Sequence, residues 1–563
     1  MTNGARELTL NWQRLRASDR TTVRPDLFAG LGVAAYLVPQ VMAYATLAGL
    51  PPVVGLWASL LPLIVYAFAG TSRLLSIGPE STAAIMTAAA LAPLAAGDPA
   101  TYAGLAAVCA VIVGTLCLVA GALRVGFVTE LLSRPVLIGY LAGVAVIMIA
   151  GQLGKLLSVP VTGGTPIVEL WSGLSQLGSA NAVTATLGIS VVVLLFVGTA
   201  YAPTLPWPLI AVLLATVATA VGDLEQYGVT VVGAIPQGLP GISIPQTLDE
   251  VAPLLGPAAA IAIVAFTDNV LTARAFAEPG ERIDADVELA TLGAANVAAG
   301  LTSGMPVSSS GSRTALARTA QARTPAYGLV TAAVIVCVLL FAGPLLSRFP
   351  MAALGGLVIF AACKIVRLDE FRWLWHFRRT EFWLAVAALV AVLTLNLLAG
   401  IGVAVVLSLV AMMARVARPH AAVLGQVPGL AGMHDIGDYP DAVEVDGLVV
   451  FRYDSPLFFA NAEDFRVRAL AAVTTAAEHR EVTALLLNCE ANIDADSTAV
   501  AAMSDLIHEV QGRGIIVALA RVHTELAELL GRAGLLDLIG SDHVFPTLPT
   551  AVAALRTDTP EEP

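Results

Sequence analysis

The sequence is poor in charge, cysteine and aromatic residues. Only 13% of its 563 residues are Asp, Glu, Lys or Arg, about half the share of a soluble protein. Apolar residues reach 57% and mean hydropathy is +0.80. A soluble particle with so few charges would expose more apolar surface than water tolerates, so most of the chain is expected to face lipid. The five cysteines (Cys109, Cys117, Cys337, Cys363 and Cys489) form no C-x-x-C, and the first four lie in apolar stretches. That excludes a disulfide scaffold or zinc site and leaves small buried hydrophobes. No histidine precedes His376, so a proton relay in the first ten apolar segments would need carboxylates. There is no H-E-x-x-H, Walker P-loop, G-x-S-x-G or G-x-G-x-x-G, and metal or serine hydrolysis and ATP-driven pumping lose their support. No basic stripe suggests nucleic acid.

What charge there is falls unevenly. The net charge is −12. Residues 438–557 carry 18 acidic and 8 basic side chains, whereas 1–437 carry 21 and 22. The acidity therefore belongs to a C-terminal soluble piece, and the apolar part is close to neutral. The first residues carry Arg6, Arg14, Arg16, Arg20 and Arg24 with no apolar core between them, unlike a cleavable signal peptide. Arginines directly before the first long apolar segment place that end in the cytoplasm. The stretch from Leu10 to Leu15 around Trp12 reads as a weak amphipathic start on the membrane surface.

A membrane-crossing helix needs about 20 apolar residues. Twelve candidates lie near 26–48, 53–69, 101–120, 130–150, 183–200, 206–222, 252–276, 286–302, 325–346, 351–366, 380–397 and 400–416. Two more apolar pieces are short. One runs from Glu80 to Leu94 after Gly78-Pro79, the other from Ser310 to about Ala320 after Gly304, Pro306 and a serine run. Counting both gives fourteen, and an even number returns the chain to the cytoplasm, in accord with Arg372, Arg378, Arg379, Arg415 and Arg418. The short pieces are each third of seven in their half. Gly/Pro-interrupted segments at corresponding positions point to an inverted-repeat transporter. Irregular backbone at membrane depth is tolerated where it lines a cavity or is buried in protein, and helix N-termini attract anions. The pattern points to an anion carrier. The plain alternative is two short helices with loops.

After Arg418-Pro419 the pattern changes. Leu448–Tyr453, Ala484–Asn488 and Gly514–Ala520 read as strands, and 461–478 and 498–512 have helical spacing. This is an α/β domain of about 120 residues, with helices expected on one face of the strands.

Several stretches carry a family resemblance. Pro39-Gln40-x-Met42-Ala43-Tyr44-Ala45 leads into Leu47-Ala48-Gly49-Leu50-Pro51-Pro52. It is followed by Gly55-Leu56-Trp57-Ala58-Ser59, Gly70-Thr71-Ser72-Arg73 and Ser76-Ile77-Gly78-Pro79-Glu80-Ser81. From about Asp26 to Leu555 the chain resembles the sulfate permease (SulP) family of anion transporters. Its soluble part resembles the STAS domain that ends them, a relative of anti-sigma-factor antagonists. The resemblance implies a polytopic α-helical membrane protein of 14 transmembrane segments, a 7+7 inverted repeat with core and gate domains, and a C-terminal α/β STAS domain. It also implies a homodimer. The expected division is a cytoplasmic segment over 1–24, a transmembrane domain over 25–420, a cytoplasmic STAS domain over 421–557 and a polar tail over 558–563.

Gln40 and Tyr44 are four apart, on one face of the first helix. By resemblance that face borders the anion; the alternative is helix–helix hydrogen bonding. Glu80 and Ser81 open the third segment. Glu80 is unexpected, because a carboxylate opposes anion binding: either it is protonated and coupled, or it points aside to cap the helix. Equivalents of Ser310 and Ser312, with Gly311 between them, present hydroxyls and N–H groups to the anion in this family, and Arg313 supplies positive charge. Asp268 lies deep in an apolar run, a costly place that marks function by default. The resemblance assigns an acidic residue there to cation coupling, and Thr272, one turn on, could complete a sodium site. The alternative pairs Asp268 with Arg313 or Arg274. Glu288 and Asn296 read as packing positions. In the soluble domain, Ser497 of Ile493–Ala499 matches the serine that anti-sigma-factor antagonists phosphorylate, but Thr498-Ala499 replaces Ser-Gly, and Asp496 or Ser497 serves equally as a helix cap.

The resulting expectation is a secondary active transporter of small inorganic anions, sulfate first and bicarbonate second, coupled to H⁺ or Na⁺. It is not an enzyme, needs no cofactor beyond a possible coupling Na⁺, and sits multi-pass in the cell membrane with both termini cytoplasmic. Alternatives are a passive anion channel, a chloride/anion exchanger of the same fold, or a membrane anchor presenting the STAS domain to a cytosolic partner.

Overall fold

The first seven helices are α1 (Arg20–Leu47), α2 (Pro52–Ala69), α3 (Ser81–Leu91), α4 (Pro99–Ala122), α5 (Arg134–Leu157), α6 (Ala182–Tyr201) and α7 (Trp207–Val221). Seven more follow: α8 (Val251–Phe276), α9 (Ala285–Leu301), α10 (Gly311–Thr319), α11 (Ala326–Phe341), α12 (Met351–Ile365), α13 (Arg379–Leu395) and α14 (Leu397–Ala417). Each lies on one of the apolar segments expected from the sequence. The computed structural model describes residues 11–16, 20–95, 98–126, 133–161, 166–203, 205–236, 238–242, 251–278, 281–395 and 397–556. The polar tail at 558–563 and most of the segment 1–24 lie outside these. Among them, seven helices are long and apolar enough to cross a membrane by length and composition alone. Pro166–Ser175 and Leu368–Phe377 are amphipathic connecting helices.

The chain forms two compact units, Met1–Ser408 and Leu409–Pro563, dividing inside α14. In the first unit the two halves are interchangeable. Exchanging α1–α7 for α8–α14 maps the α1–α11 packing onto α8–α4, α4–α9 onto α11–α2, α5–α13 onto α12–α6, and α3–α8 onto α10–α1. The α2–α9 and α5–α12 pairs map onto themselves, as a two-fold axis requires. Small residues allow the tightest crossing: a Cβ on Gly114 of α4 would meet the Gly293 carbonyl at 2.6 Å, and one on Gly293 would meet that of Gly114 at 2.7 Å.

The helices α3 and α10 are short because extended chain replaces their first turns. Ile77–Gly78 (β1) pairs antiparallel with Ser308–Ser309 (β2), and the backbone stays extended through Glu80 and Ser310. Proline at 79 and at 306 offers no N–H to a helical turn there. Since the strands run antiparallel and each leads into its own helix, the two N-termini meet head to head.

Helical residues 11–16 dock on protein through Asn11 and Arg14, and Trp12 is exposed. Asn11 is buried and donates to the carbonyls of Tyr66 and Ser72 at 3.4 and 3.3 Å. Arg14 reaches the Thr71 carbonyl at 3.0 Å and Glu281 at 2.9 Å.

The second unit holds a six-stranded sheet in the order β4-β3-β5-β6-β7-β8. Its strands are β3 (Ala421–Gln426), β4 (Met433–Asp435), β5 (Gly447–Tyr453), β6 (Val482–Asn488), β7 (Ile516–Ala520) and β8 (Val544–Phe545). From β5 to β8 the pairs are parallel. Helices α15 (Ala462–Ala477) and α16 (Ser497–Gly512) pack on the face carrying Val449, Phe451, Leu485 and Leu487. Helices were expected on that one face alone. The other, with Leu448, Val450, Leu486 and Ala518, is also covered, by α18 (Leu548–Leu555), which follows α17 (Thr524–Arg532). Continuous apolar runs in β5–β7, without alternation, are what burial of both faces requires.

Candidate functional site

Arg313 is the largest fully buried side chain among the described residues, and it stands where α3 and α10 meet. Its Nη1 donates to the Pro79 carbonyl at 3.0 Å and to Gln40 Oε1 at 3.2 Å, and its Nε donates to Ser76 Oγ at 3.2 Å. Nη2 has no hydrogen-bond partner among the described residues. One guanidinium thus ties α10, α1 and the strand before α3 together and keeps a donor unspent.

The other expected residues gather around it. Gln40 Nε2 donates to the Tyr44 hydroxyl at 3.1 Å and reaches Ser312 Oγ at 3.4 Å. Ser310 caps α10, its Oγ accepting from the Arg313 N–H at 3.4 Å, and lies 3.2 Å from the Ser312 hydroxyl. Gly311 and Ser312 are exposed, and nothing lies within 4 Å of a Cβ placed on Gly311. The site thus offers open hydroxyl and N–H donors with a buried cation behind them. Glu80 lies on α3 itself: Oε2 accepts the Thr82 N–H at 2.7 Å, and Oε1 takes the Ser81 hydroxyl.

Asp268 projects from α8 to β2. It accepts from the Ser309 hydroxyl at 2.9 Å and from Ser308 at 3.5 Å. Its described partners are hydroxyls, not Arg313 or Arg274. Glu80 and Asp268 both line a cavity of about 40 Å³, closed by Leu137 and Leu141 of α5, larger than the roughly 10–15 Å³ that one water needs. Thr272, partly buried one turn along α8, is not among its lining residues.

Residues 23–388 match the sulfate permease family and residues 439–551 match the STAS domain. The chain belongs to the sulfate permease family. A Mycobacterium tuberculosis (strain H37Rv) relative called "Probable sulfate transporter" is 52% identical over 96% of this chain and 97% of its own length. "Sulfate transporter 4.1, chloroplastic" of Arabidopsis thaliana is 32% identical over 94% of this chain and 79% of its own. Among solved structures, SLC26A9 superposes with a TM-score of 0.88 at 22% identity, covering 97% of this chain and 92% of that one; this likeness concerns the fold. This sulfate permease family member is a multi-pass membrane transporter of anions, not an enzyme.

The candidate site of this sulfate permease family member also gathers residues that the sequence reading passed over. Tyr36 lies within hydrogen-bonding reach of Ser312. It completes a 36–40–44 series on one face of α1, a helical spacing that could have exposed it. Tyr140 of α5, buried and with no hydroxyl partner among the described residues, came from a helix with no motif to single it out. The packing residues proved to be a scaffold. The buried Glu288 carboxylate accepts from the Tyr66 hydroxyl at 2.9 Å, the Thr71 N–H at 2.9 Å, the Thr71 hydroxyl at 2.6 Å and Asn269 Nδ2 at 2.7 Å. Asn296 holds Val307, next to β2, through its N–H at 2.9 Å and its carbonyl at 3.0 Å.

In the STAS domain, Asp496 caps α16 by accepting the Ala499 N–H at 2.9 Å, and also takes the Phe459 N–H at 2.7 Å. Ser497 is exposed at the first helical position. Burial pushes the Cys489 thiol up to about 12, and burial with the neighbouring Asp464 raises the Tyr453 hydroxyl above its ordinary value.

Proposed function

We propose that this protein is a secondary active sulfate transporter, with the anion held between the N-termini of α3 and α10. The observation that carries this is the buried Arg313 with a free Nη2 where two helix N-termini meet, beside the exposed Ser312. Helix N-termini and a guanidinium together form an anion site. The names of the mycobacterial and plant relatives favour sulfate.

Gln40, Tyr44, Ser81, Ser310, Gly311, Ser312 and Arg313 surround the anion in this reading. Asp268 takes the coupling cation, a proton or Na⁺, with Thr272 as a candidate further ligand. Because Ser309 bonds Asp268 and Ser310 starts α10, the charge on Asp268 acts directly on the anion's donors. The arginine-rich start of α1 favours both termini on the cytoplasmic side, and the family resemblance favours a homodimer.

Flux into proteoliposomes tests this, with sulfate, bicarbonate and chloride scanned under imposed pH and sodium gradients. The expected result is sulfate accumulation that follows one cation gradient and is saturable. Sulfate flux that follows voltage alone, without solute coupling, would indicate a channel instead.

A further inference from the structure

We propose that Glu80 is a tethered competitor of the transported anion: ionised, it occupies the N-terminal donors of α3; protonated, it releases them to the anion. This rests on the reading of the α3–α10 junction as the anion site. It assigns Glu80 a role beyond lining it.

The two short helices begin in register across β1 and β2, yet their caps differ in charge. Helix α10 is capped by Ser310, a neutral hydroxyl. Helix α3 is capped by Glu80, although Ser, Thr, Asp and Asn are the side chains preferred for capping. The Glu80 carboxylate holds the Thr82 N–H at 2.7 Å together with the Ser81 hydroxyl. Those are the donors an anion would take from α3. An ionised Glu80 also brings a full negative charge to a helix end worth about half a positive one. In that state α3 cannot attract a second anion, and α10 with Arg313 works alone.

A second, independent observation points to a ligand here. Arg313 contacts the Pro79 carbonyl, one residue before Glu80, and a Cβ on Gly78 would lie 3.3 Å from its Nη2. Nη2 is nevertheless unpartnered in a fully buried side chain. The carboxylate lies along its own helix and does not hydrogen-bond that buried donor.

The groups facing Glu80 are Tyr44 from α1, Tyr140 from α5, Asp268 from α8 and Arg313 from α10. The two tyrosines can donate to a displaced acid. Asp268 shares the small cavity with Glu80 and repels a second carboxylate there, so the side chain that leaves α3 for this space is the neutral acid. One proton taken from water is thus exchanged against Glu80's hold on α3. It returns to water when the anion departs and the carboxylate recaps the helix.

The test is sulfate binding to the purified chain at about pH 4 and about pH 7, on either side of the ordinary carboxylate range, across which sulfate stays a dianion. The wild type should bind more tightly at the lower pH. Glu80→Gln and Glu80→Ser both remove the charge and keep a cap, the serine copying Ser310 of α10. Each should bind sulfate at the higher pH about three- to thirtyfold more tightly than wild type, the factor for a charge worth about 0.7–2 kcal/mol at a helix end. Each should also show a smaller pH dependence than wild type. Variants with wild-type affinity and pH slope would overturn the role of Glu80. Ser312→Ala separates the two readings. If it weakens binding while the Glu80 variants change nothing, the competitor fails alone. If it too leaves binding unchanged, the site itself is misplaced.

Discussion

The Ser309 hydroxyl donates to the Asp268 carboxylate at 2.9 Å, and the next residue, Ser310, caps α10. A single peptide unit therefore separates the hydroxyl that holds the α8 carboxylate from the residue that caps α10. In the proposed reading, neutralising Asp268 weakens the hydrogen bond that Ser309 makes beside the α10 N-terminus. That linkage is short enough to couple a cation to an anion without any large rearrangement.

Asp268→Asn keeps the shape, still accepts from Ser309 and fixes a neutral state. The variant should bind sulfate and exchange it downhill, but lose accumulation driven by a proton or sodium gradient. Comparing accumulation with binding in the same purified variant decides it. Gradient-driven uptake at the wild-type level would remove Asp268 from the coupling role.

Ser312→Ala removes one exposed hydroxyl and should leave folding intact. Loss of one hydrogen bond is worth about 0.5–1.5 kcal/mol, so sulfate affinity should fall roughly two- to tenfold. Arg313→Lys should cost more, because an ammonium cannot reproduce a planar fork that serves Gln40, Pro79 and Ser76. Titration calorimetry in detergent measures both. Unchanged affinity in both variants would mean the anion binds elsewhere.

Glu288→Ala should damage stability while leaving the chemistry of the anion site in place. It strips the acceptor from the hydroxyls of Tyr66 and Thr71, the Thr71 N–H and Asn269 Nδ2, all buried. A buried donor left unpaired costs about 1–3 kcal/mol, so thermal unfolding should shift down by several degrees or the protein should fail to accumulate. Glu288→Gln should be milder, since its side-chain oxygen still accepts. An unshifted melting curve for the alanine variant would contradict the scaffold role.

Cys489 of the STAS domain should resist iodoacetamide at about pH 8 in the native protein and react after unfolding. Its thiol is buried and pushed up to about 12, against about 8.5 for a free one, and the thiolate is the nucleophile. The sign for stability follows. The native state prefers the neutral thiol, so this contribution is fully present below about pH 8.5 and is lost as pH rises toward 12. Rapid native alkylation, followed by mass spectrometry, would show that the site opens.

Local sequence made the fourteen apolar segments, the two interrupted helices and the strands β5–β7 legible, because each depends on contiguous composition. Proline at 79 and 306 and glycine at 78 and 304 break helix wherever the chain places them. The one-turn spacing of Gln40 and Tyr44 sets them on one face of any helix. Strand β3 and the edge strands β4 and β8 escaped notice, since strand order depends on the neighbours a strand pairs with. The caps were legible in type but not in use. Sequence showed that Glu80 opens a helix; only the folded chain showed that it lies on Thr82 and Ser81 and leaves Arg313 untouched.

By itself the sequence determined the membrane class, the two-half arrangement and the soluble α/β domain, because hydropathy and backbone breaks act over neighbouring residues. Tertiary structure alone decided which residues share a site. Asp268 meets Ser309 across 41 positions, Arg313 meets Gln40 across 273, and Glu288 collects donors from α8 and the end of α2. Contacts at such separations arise only when elements distant in the chain pack together. The partners of a buried charge follow from the geometry of that packing, which no local spacing encodes.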